Sequence, residues 1–226
     1  MNTEMKTANQ VRRLMALIAG WSLIAMAIVA GGGYGYAFET LYVAGDAAAT
    51  FRQWQQYPEL LLGVVGAFSV ILVLDVVVAW ALNRYFEDVH PELTLAMSWA
   101  RLSYAVALGG ALFKLLPLFQ LTTPPEAATV MTHFIAFLKV WSLGLIVFGL
   151  HLVLVGMLIF RSNDMPRWLW VMVVLAGVFY STTHLAQWLF PAYEPYRELV
   201  DKILAGPMAL GELSLAVWLI VKGGKG

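Results

Sequence analysis

Six runs of about 20 mostly apolar residues fill most of the sequence, and each is long enough to cross a bilayer as an α-helix. Only 12% of the 226 residues are charged, about half of the roughly 25% that a soluble domain carries. Such a chain cannot cover a water-facing surface, so we expect an all-α polytopic membrane protein, a bundle of six transmembrane helices forming a single domain over residues 1–226. The predicted spans are Leu14–Tyr34, Leu60–Leu82, Leu93–Leu116, Met131–Phe160, Trp168–Phe190 and Ile203–Val221.

The positions of the Lys and Arg residues predict the orientation of the bundle, because these residues concentrate on the cytoplasmic side of membrane proteins. With the N-terminus inside, eight basic residues fall on the inner face and three on the outer face. We therefore predict a bacterial plasma (inner) membrane protein with both termini in the cytoplasm. The formal net charge is zero, so no bulk charge favours nucleic acid as a partner; the partners we expect are the lipid bilayer and a small or lipophilic ligand. The inner-face residues are Lys6, Arg12, Arg13, Arg84, Arg161, Arg167, Lys222 and Lys225, and the outer-face residues are Arg52, Arg197 and Lys202.

The outer loops are longer than the inner turns, and we predict short interfacial helices within them. Asp46, in the run Gly45-Asp46-Ala47-Ala48-Ala49-Thr50, is placed to cap such a helix by accepting a hydrogen bond from a free N–H group. Residues 194–202 are predicted to form a second short helix, with Pro195 in its first turn. Each helix is either an interfacial strut or a lid over a site, and the sequence leaves both interpretations open.

Four ionisable residues lie inside the apolar runs, at similar depths from the inner face: Asp75, Arg101, His151 and Glu212. At 1.5 Å per residue, the first two lie about 12 Å from the inner boundary and the other two about 13–14 Å. A charged side chain at mid-bilayer costs about 2.5–3.5 kcal/mol, so we expect the four to form a buried polar layer. A short turn joins the spans of Asp75 and Arg101, which makes these residues a candidate ion pair.

Each residue of this layer has a structural and a functional interpretation. The pair of Asp75 and Arg101 is either a clasp between two helices or part of a site. Glu212 is either a protonated carboxyl that hydrogen-bonds a neighbour or a titrating group, and His151 is either a packed neutral imidazole or a ligand-binding one. Intramembrane ionisable residues commonly mark proton relays and ligand pathways. The layer is therefore a candidate ligand or proton site.

A second polar patch is predicted on the fifth span, where Tyr180, Thr183, His184 and Gln187 recur at the spacing i, i+3, i+4, i+7. This spacing places the four residues on one face of a helix. Because the rest of the span is apolar, we expect this polar stripe to face the interior of the bundle in its outer half, as a candidate entrance to the inner layer.

We predict neither a cofactor nor a metal. His151 and His184 differ by roughly 10 Å in depth, whereas a haem held by two histidines needs both at a similar depth. A zinc hydrolase needs about three converging ligands, which His151, Glu212 and Asp75 could supply, but the sequence lacks the His-Glu-x-x-His motif. The chain has no cysteine, which excludes disulfides, thiolate catalysis and iron–sulfur clusters.

Several short motifs together resemble one bacterial family. They are Gly45-Asp46-Ala47-Ala48-Ala49-Thr50, Phe148-Gly149-Leu150-His151, Leu158-Ile159-Phe160-Arg161-Ser162, Pro166 with Gly177, and the run from Gly211 to Leu219. Over nearly its whole length the chain resembles the family catalogued as domain of unknown function 4386. The family pattern also has an Asp in the second span and an Arg in the third, which match Asp75 and Arg101. The resemblance implies six spans and the inner layer, and it implies no reaction.

Three hypotheses for function remain open at this point. The one we favour is a membrane protein that binds or transports a small or lipophilic molecule through the buried polar layer, with or without a linked proton. The second is an intramembrane enzyme that acts on a lipid, with His151 and Glu212 as an acid–base pair. The third is a non-catalytic accessory or assembly subunit in which every buried charge is structural. An opening that reaches the layer favours the first two, and a dry, fully paired cluster favours the third.

Overall fold

The computed structural model describes residues 2–120 and 126–225, with the side chains of residues 2–8 and 194 left undescribed. All regular secondary structure in these residues is helical, which confirms the predicted all-α class. The helices are α1 (Asn2–Gly32), α2 (Glu39–Leu41), α3 (Ala47–Gln56), α4 (Pro58–Phe86), α5 (Pro91–Leu112), α6 (Ala127–Arg161), α7 (Arg167–Leu189) and α8 (Arg197–Val221).

Six of the helical segments in the described residues are long and apolar enough to cross a membrane, as predicted, so the chain is a multi-pass membrane protein. The first of them, Asn9–Leu41, runs from α1 through a π-helical stretch, Gly33–Phe38, into α2. Most helices extend beyond the predicted spans, as α1 does by beginning at Asn2. Hydropathy marks the part of a helix that lies in lipid, whereas backbone hydrogen bonds continue into the polar residues beyond it.

The spanning helices pack as a closed ring in the order α1, α4, α5, α6, α7, α8, in which α8 returns to contact α1. Because the number of spans is even, both termini lie at one end of the ring, which we call the terminal end. The other end carries α3, and we call it the α3 end. The tightest crossing joins α6 to α7, where a Cβ atom on Gly177 would lie 2.6 Å from the carbonyl oxygen of Gly149. The two helices can approach this closely only because both residues lack a side chain.

Aromatic side chains fill the interior of the helix bundle near the α3 end. Phe38, Phe68 and Phe137 are buried, and the ring centroids of Phe68 and Phe137 lie 5.2 Å apart in a T-shaped arrangement. Trp141 contacts this cluster and also Tyr34, which lies on the π-helical stretch, with centroids 5.0 Å apart. Edge-to-face contacts of this kind add about 0.5–1.5 kcal/mol each beyond the burial of apolar area. The cluster therefore fixes α1, α4 and α6 relative to one another.

Of the two short helices predicted at the α3 end, one is confirmed and the other is corrected. Asp46 caps α3 by accepting a hydrogen bond of 2.8 Å from the amide of Ala49. Thr50 is fully buried and exchanges hydrogen bonds with both backbone groups of Val43. The prediction of a separate short helix at residues 194–202 is wrong, because Pro191–Tyr196 forms a 3-10 helix and α8 begins at Arg197. When only hydropathy is considered, the amphipathic first turns of a spanning helix resemble a separate surface helix.

The contact between α1 and α8 is tight near the terminal end. A Cβ atom on Gly20 would lie 2.9 Å from the carbonyl oxygen of Ala216. The guanidinium of Arg13 donates hydrogen bonds to the carbonyl oxygens of Leu219, Ile220 and Gly223, at 3.1, 2.6 and 2.7 Å. These carbonyls lie at the C-terminus of α8, where the helix has no N–H partners of its own. Arg13 therefore fastens the last helix to the first.

The same two helices are loosely packed toward the α3 end. Residues 24–32 of α1 and residues 197–207 of α8 are all either half-buried or exposed. A helix that packs tightly against a bundle fully buries residues on one face. Neither stretch contains a fully buried residue, although Ile24, Met26 and Val29 still pack against the core. Pro207 lies within α8 and has no N–H to donate to the preceding turn, which removes one backbone hydrogen bond there. We call the surface formed by these two stretches the α1–α8 groove.

Candidate functional site

Three of the four predicted layer residues are in direct contact. Nη2 of Arg101 lies 2.7 Å from Oδ1 of Asp75, so the predicted ion pair forms between α4 and α5. Nη1 of Arg101 lies 3.0 Å from Nε2 of His151, which extends the contact to α6. Side-chain exposure is 1% for Arg101 and 0% for Asp75, and His151 is also fully buried. We call these three residues the buried triad.

The contacts of His151 determine which of its ring nitrogens carries the proton. A guanidinium has only N–H donors, so Nε2 must accept the hydrogen bond from Arg101. Nδ1 lies 2.9 Å from the carbonyl oxygen of Met97, which can only accept, so Nδ1 must carry the proton. His151 is therefore held as a neutral imidazole with one donor and one acceptor, both in use.

The buried triad leaves three polar atoms without a hydrogen bond among the described residues. They are Oδ1 and Oδ2 of Asp75 and Nε of Arg101, of which Oδ1 is held in the ion pair with Arg101. Nη2 of Arg101, which makes that ion pair, has a further contact of 3.7 Å with the sulfur of Met26 on α1. Breaking a buried pair by removing one partner costs about 3–5 kcal/mol. The triad thus ties α4, α5 and α6 together and reaches α1 through Met26.

Glu212 lies apart from the buried triad, on α8. Its Oε1 accepts a hydrogen bond of 3.0 Å from the hydroxyl of Tyr180 on α7. Gly211 brings the two helices together at this point, since a Cβ atom there would lie 2.8 Å from the carbonyl oxygen of Met172. Glu212 is still within electrostatic reach of Arg101 and Asp75. The predicted layer therefore contains a sealed triad and one separate carboxyl.

The exposure of Glu212 does not match its position on the helix. It lies four residues after Met208 and three before Leu215, both of which are buried. Residues at these spacings share one helix face, so Glu212 is on the packed face of α8. Its side chain is nevertheless only half-buried. The α1–α8 groove begins about one turn away, at Pro207, so Glu212 lies between the packed part of α8 and its exposed part.

The predicted polar stripe on α7 faces the neighbouring helices. The hydroxyl of Ser142 on α6 lies 3.0 Å from Nδ1 of His184 and donates a hydrogen bond of 3.1 Å to Oε1 of Gln187. Thr183 is buried and donates to the carbonyl oxygen of Phe179 in its own helix. The amide nitrogen of Gln187 is buried without a hydrogen-bond partner among the described residues. Tyr180, at the end of the stripe, joins it to Glu212.

A group of aromatic rings connects the triad to Tyr180. The ring of Phe148 on α6 lies 5.8 Å from the imidazole of His151 and 5.2 Å from the ring of Tyr180. Tyr104 on α5 packs against the same Phe148 at 4.8 Å, and its hydroxyl accepts a hydrogen bond of 3.3 Å from the indole N–H of Trp141. Phe148 therefore separates the buried triad from the Glu212–Tyr180 pair, and the two share one aromatic wall.

Sequence reasoning missed several members of this arrangement. Ser142 was detectable as a lone hydroxyl in an apolar span, opposite a polar stripe. Tyr104 and Phe148 look like ordinary apolar packing in a sequence. The carbonyl oxygen of Met97 is a backbone group, and no side-chain pattern reveals it. Among the described residues, no group of three or more His, Asp and Glu side chains is arranged to hold a metal ion.

Comparisons with known proteins agree with the resemblance noted in the sequence. The family model described as Domain of unknown function (DUF4386) matches residues 18–223. A protein of Archaeoglobus fulgidus described as an uncharacterized protein is 32% identical over 165 residues, which cover 73% of this chain and 86% of that relative. No solved structure matches the chain. The chain therefore belongs to the DUF4386 family.

Proposed function

We propose that this protein binds and transports a small or lipophilic molecule within the membrane, and that the binding site is formed by Glu212 and Tyr180 at the end of the α1–α8 groove. The observation that carries the proposal is the half-buried state of Glu212 on the packed face of α8. An ionisable residue inside a membrane bundle that is both accessible and hydrogen-bonded is a typical ligand or ion site.

The groove supplies a route from the lipid to this site. Its stretch of α1 is apolar. The stretch of α8 has apolar residues in the part nearer Glu212 (Ile203, Leu204 and Pro207) and charged residues nearer the α3 end (Arg197, Glu198, Asp201 and Lys202). The apolar part next to Glu212 favours a lipophilic ligand with one polar end. Beyond Glu212 the polar stripe begins, with the rings of Tyr180 and His184 stacked 6.5 Å apart.

The geometry argues against the enzyme hypothesis with His151 and Glu212 as an acid–base pair. Both ring nitrogens of His151 already have partners, Arg101 and the carbonyl of Met97. A proton added at Nε2 would face a guanidinium and lose a hydrogen bond. The accessory-subunit hypothesis draws support from the buried triad, but it does not account for the half-buried Glu212. The triad is therefore best interpreted as the structural clasp that holds the site.

We further propose that the terminal end faces the cytoplasm of a cell whose plasma membrane contains the protein. Arg12, Arg13 and Arg84 lie at this end, as do Arg161 and Arg167, and basic residues near span ends favour the cytoplasmic side. In this orientation the groove opens in the outer half of the bilayer.

A ligand panel tests the proposed function. Purified protein in lipid nanodiscs is heated with cationic, neutral and anionic lipophilic molecules, and its melting temperature is followed. At 100 times its Kd, a ligand adds about 2.7 kcal/mol to the stability of the folded state. We expect at least one class to raise the melting temperature of the wild type and of Glu92→Gln, an exposed carboxyl, but not of Glu212→Gln. A wild type that no class stabilises contradicts the proposal.

A further inference from the structure

The charges within the bundle do not balance when both carboxyls are ionised. Asp75 and Glu212 face one guanidinium, that of Arg101, and Asp75 is already paired with it at 2.7 Å. His151 contributes no charge, because its two contacts require the neutral imidazole. The groups that act on Glu212 are Tyr180 on α7, Arg101 on α5, Asp75 on α4 and, through Tyr180, Tyr104 on α5. The carboxyl of Glu212 therefore has no positive charge of its own in the bundle and needs either a proton or a bound cation.

Aromatic rings lie beside the Glu212–Tyr180 pair. Tyr180 holds the carboxylate through its hydroxyl, and its ring packs edge-to-face with Phe148 at 5.2 Å and stacks with His184 at 6.5 Å. Ring faces attract cations, by about 0.5–1 kcal/mol at exposed sites and by about 2 kcal/mol or more in desolvated ones. Phe148 already has one cation near it, since the guanidinium carbon of Arg101 lies 5.4 Å from its centroid. A carboxylate beside aromatic rings is chemically suited to an organic cation.

We infer that the ligand of the Glu212 site is a lipophilic organic cation, a protonated or quaternary amine or phosphonium, which exchanges there with a proton. This inference rests on the proposed function and names its ligand class. The apolar stretch of α1 and the apolar residues of α8 nearest Glu212 (Ile203, Leu204 and Pro207) accept the hydrocarbon part of such a molecule, and Glu212 accepts its charge. An anion would find no positive charge at a protonated carboxyl and would be repelled by an ionised one, and a neutral molecule could not replace the proton.

The exchange balances in atoms and charge. Without ligand, the carboxyl of Glu212 carries a proton. When the cation arrives, the carboxyl O–H bond breaks, the proton leaves to water, and the carboxylate pairs with the cation. No electron is transferred and no covalent bond to the ligand forms. The site has the same net charge before and after the cation binds. The exchange therefore lets a cation enter the bundle without adding an unpaired charge to its interior.

Binding of tetraphenylphosphonium tests the inference, with tetraphenylborate as an anionic probe of the same shape and triphenylphosphine oxide as a neutral one. Each is measured by equilibrium dialysis against protein in nanodiscs of neutral lipid, with empty nanodiscs subtracted, over a pH series. We expect saturable binding of the phosphonium alone. Its apparent affinity is expected to rise with pH toward a plateau, by up to about tenfold per pH unit, the limit for competition with one proton. Glu212→Gln is expected to lose this binding, and Glu92→Gln to keep it.

Tyr180→Phe provides a second variant that does not depend on Glu212→Gln being folded. It keeps the ring and removes the hydroxyl that donates to Oε1. The ionised carboxylate loses that hydrogen bond, so we expect phosphonium binding to remain but to require a higher pH. An unchanged pH profile in Tyr180→Phe overturns the inference.

The remaining outcomes separate the inference from the proposed function. If the wild type binds the neutral or the anionic probe, and Glu212→Gln abolishes that binding, the inference of a cationic ligand is overturned and the proposed function still stands. Phosphonium binding that is independent of pH overturns the proton exchange. A folded wild type that binds none of the three probes overturns the inference and counts against the proposed function as well.

Discussion

Nε2 of His151 lies 3.0 Å from Nη1 of Arg101, although 50 residues separate them in the chain. The contact requires a neutral imidazole that accepts from the guanidinium and donates from its other nitrogen to the carbonyl oxygen of Met97. Because both ring nitrogens have partners, His151 is better interpreted as a residue that supports Arg101 than as a proton carrier. The site that stays accessible is Glu212, which lies on another helix.

Two substitutions of His151 test this structural role. Glutamine offers one acceptor and one donor and can replace both hydrogen bonds, whereas leucine offers neither. We expect His151→Leu to destabilise the protein by about 1–3 kcal/mol, because it leaves buried polar groups unsatisfied. We expect His151→Gln to lose clearly less and to keep ligand binding. Denaturation in mild detergent measures the difference, and equal losses for the two variants contradict the assigned hydrogen bonds.

A double-mutant cycle tests the pair of Asp75 and Arg101. Asp75→Asn and Arg101→Gln each strand a buried charge, so we expect each to cost about 3–5 kcal/mol. The double variant is expected to recover part of that loss, because neither charge remains. The free energy of unfolding of the four proteins gives the coupling. Losses that simply add show that the residues are not coupled and contradict the 2.7 Å contact.

Depth counting along the spans was sufficient to predict the ion pair. Asp75 and Arg101 lie on consecutive helices joined by a short turn, so equal depth implies proximity. Depth counting could not identify the partner of Glu212. That partner depends on how α8 is rotated about its axis and on how closely α8 approaches α7, and the close approach occurs where Gly211 meets the backbone of Met172. The same counting also assigned Tyr180 to a separate patch. The side chain of tyrosine is long, and the hydroxyl of Tyr180 donates a hydrogen bond to the carboxyl of Glu212 on α8.

The number of spans and the cap at Asp46 followed from the sequence because both depend on local rules. Hydropathy over about 20 residues identifies a spanning helix, and a cap needs only residues a few positions apart. The α1–α8 groove depends on a stretch where two helices that are distant in sequence contain no fully buried residue. The sequence does not reveal this, because the α1 segment is as apolar as a packed helix and the charged residues of the α8 segment are those expected at the end of any spanning helix.

The proposed topology predicts the sides on which reporters appear. Reporter fusions at Asp46 and at Lys225 are expected on opposite sides of the membrane, with Lys225 in the cytoplasm, because Asp46 follows the first span and Lys225 the sixth. Paired alkaline phosphatase and fluorescent protein fusions measure this. Both reporters on one side would contradict six spans, and an outward Lys225 would contradict the orientation alone.

The connection before α4 is expected to be structural. Asp46→Ala removes the cap of α3 and is expected to cost about 0.5–2 kcal/mol. Thr50→Val removes the hydrogen bonds with Val43 and is expected to cost a similar amount, about 1–3 kcal/mol for buried groups left unsatisfied. Neither change touches Glu212, so the ligand affinity of folded protein is expected to be unchanged. A loss of affinity without a loss of stability would instead support a lid at this connection.

The most direct test of the account compares the stability and the ligand binding of Glu212→Gln in one preparation. The substitution keeps the shape of the side chain and an acceptor for the hydroxyl of Tyr180, and it removes the exchangeable proton. We expect the free energy of unfolding to change by no more than about 0.5 kcal/mol, while saturable binding of tetraphenylphosphonium and the release of about one proton per bound cation disappear. A Glu212→Gln protein that is as unstable as Asp75→Asn, and that still binds the cation with proton release, would contradict this expectation.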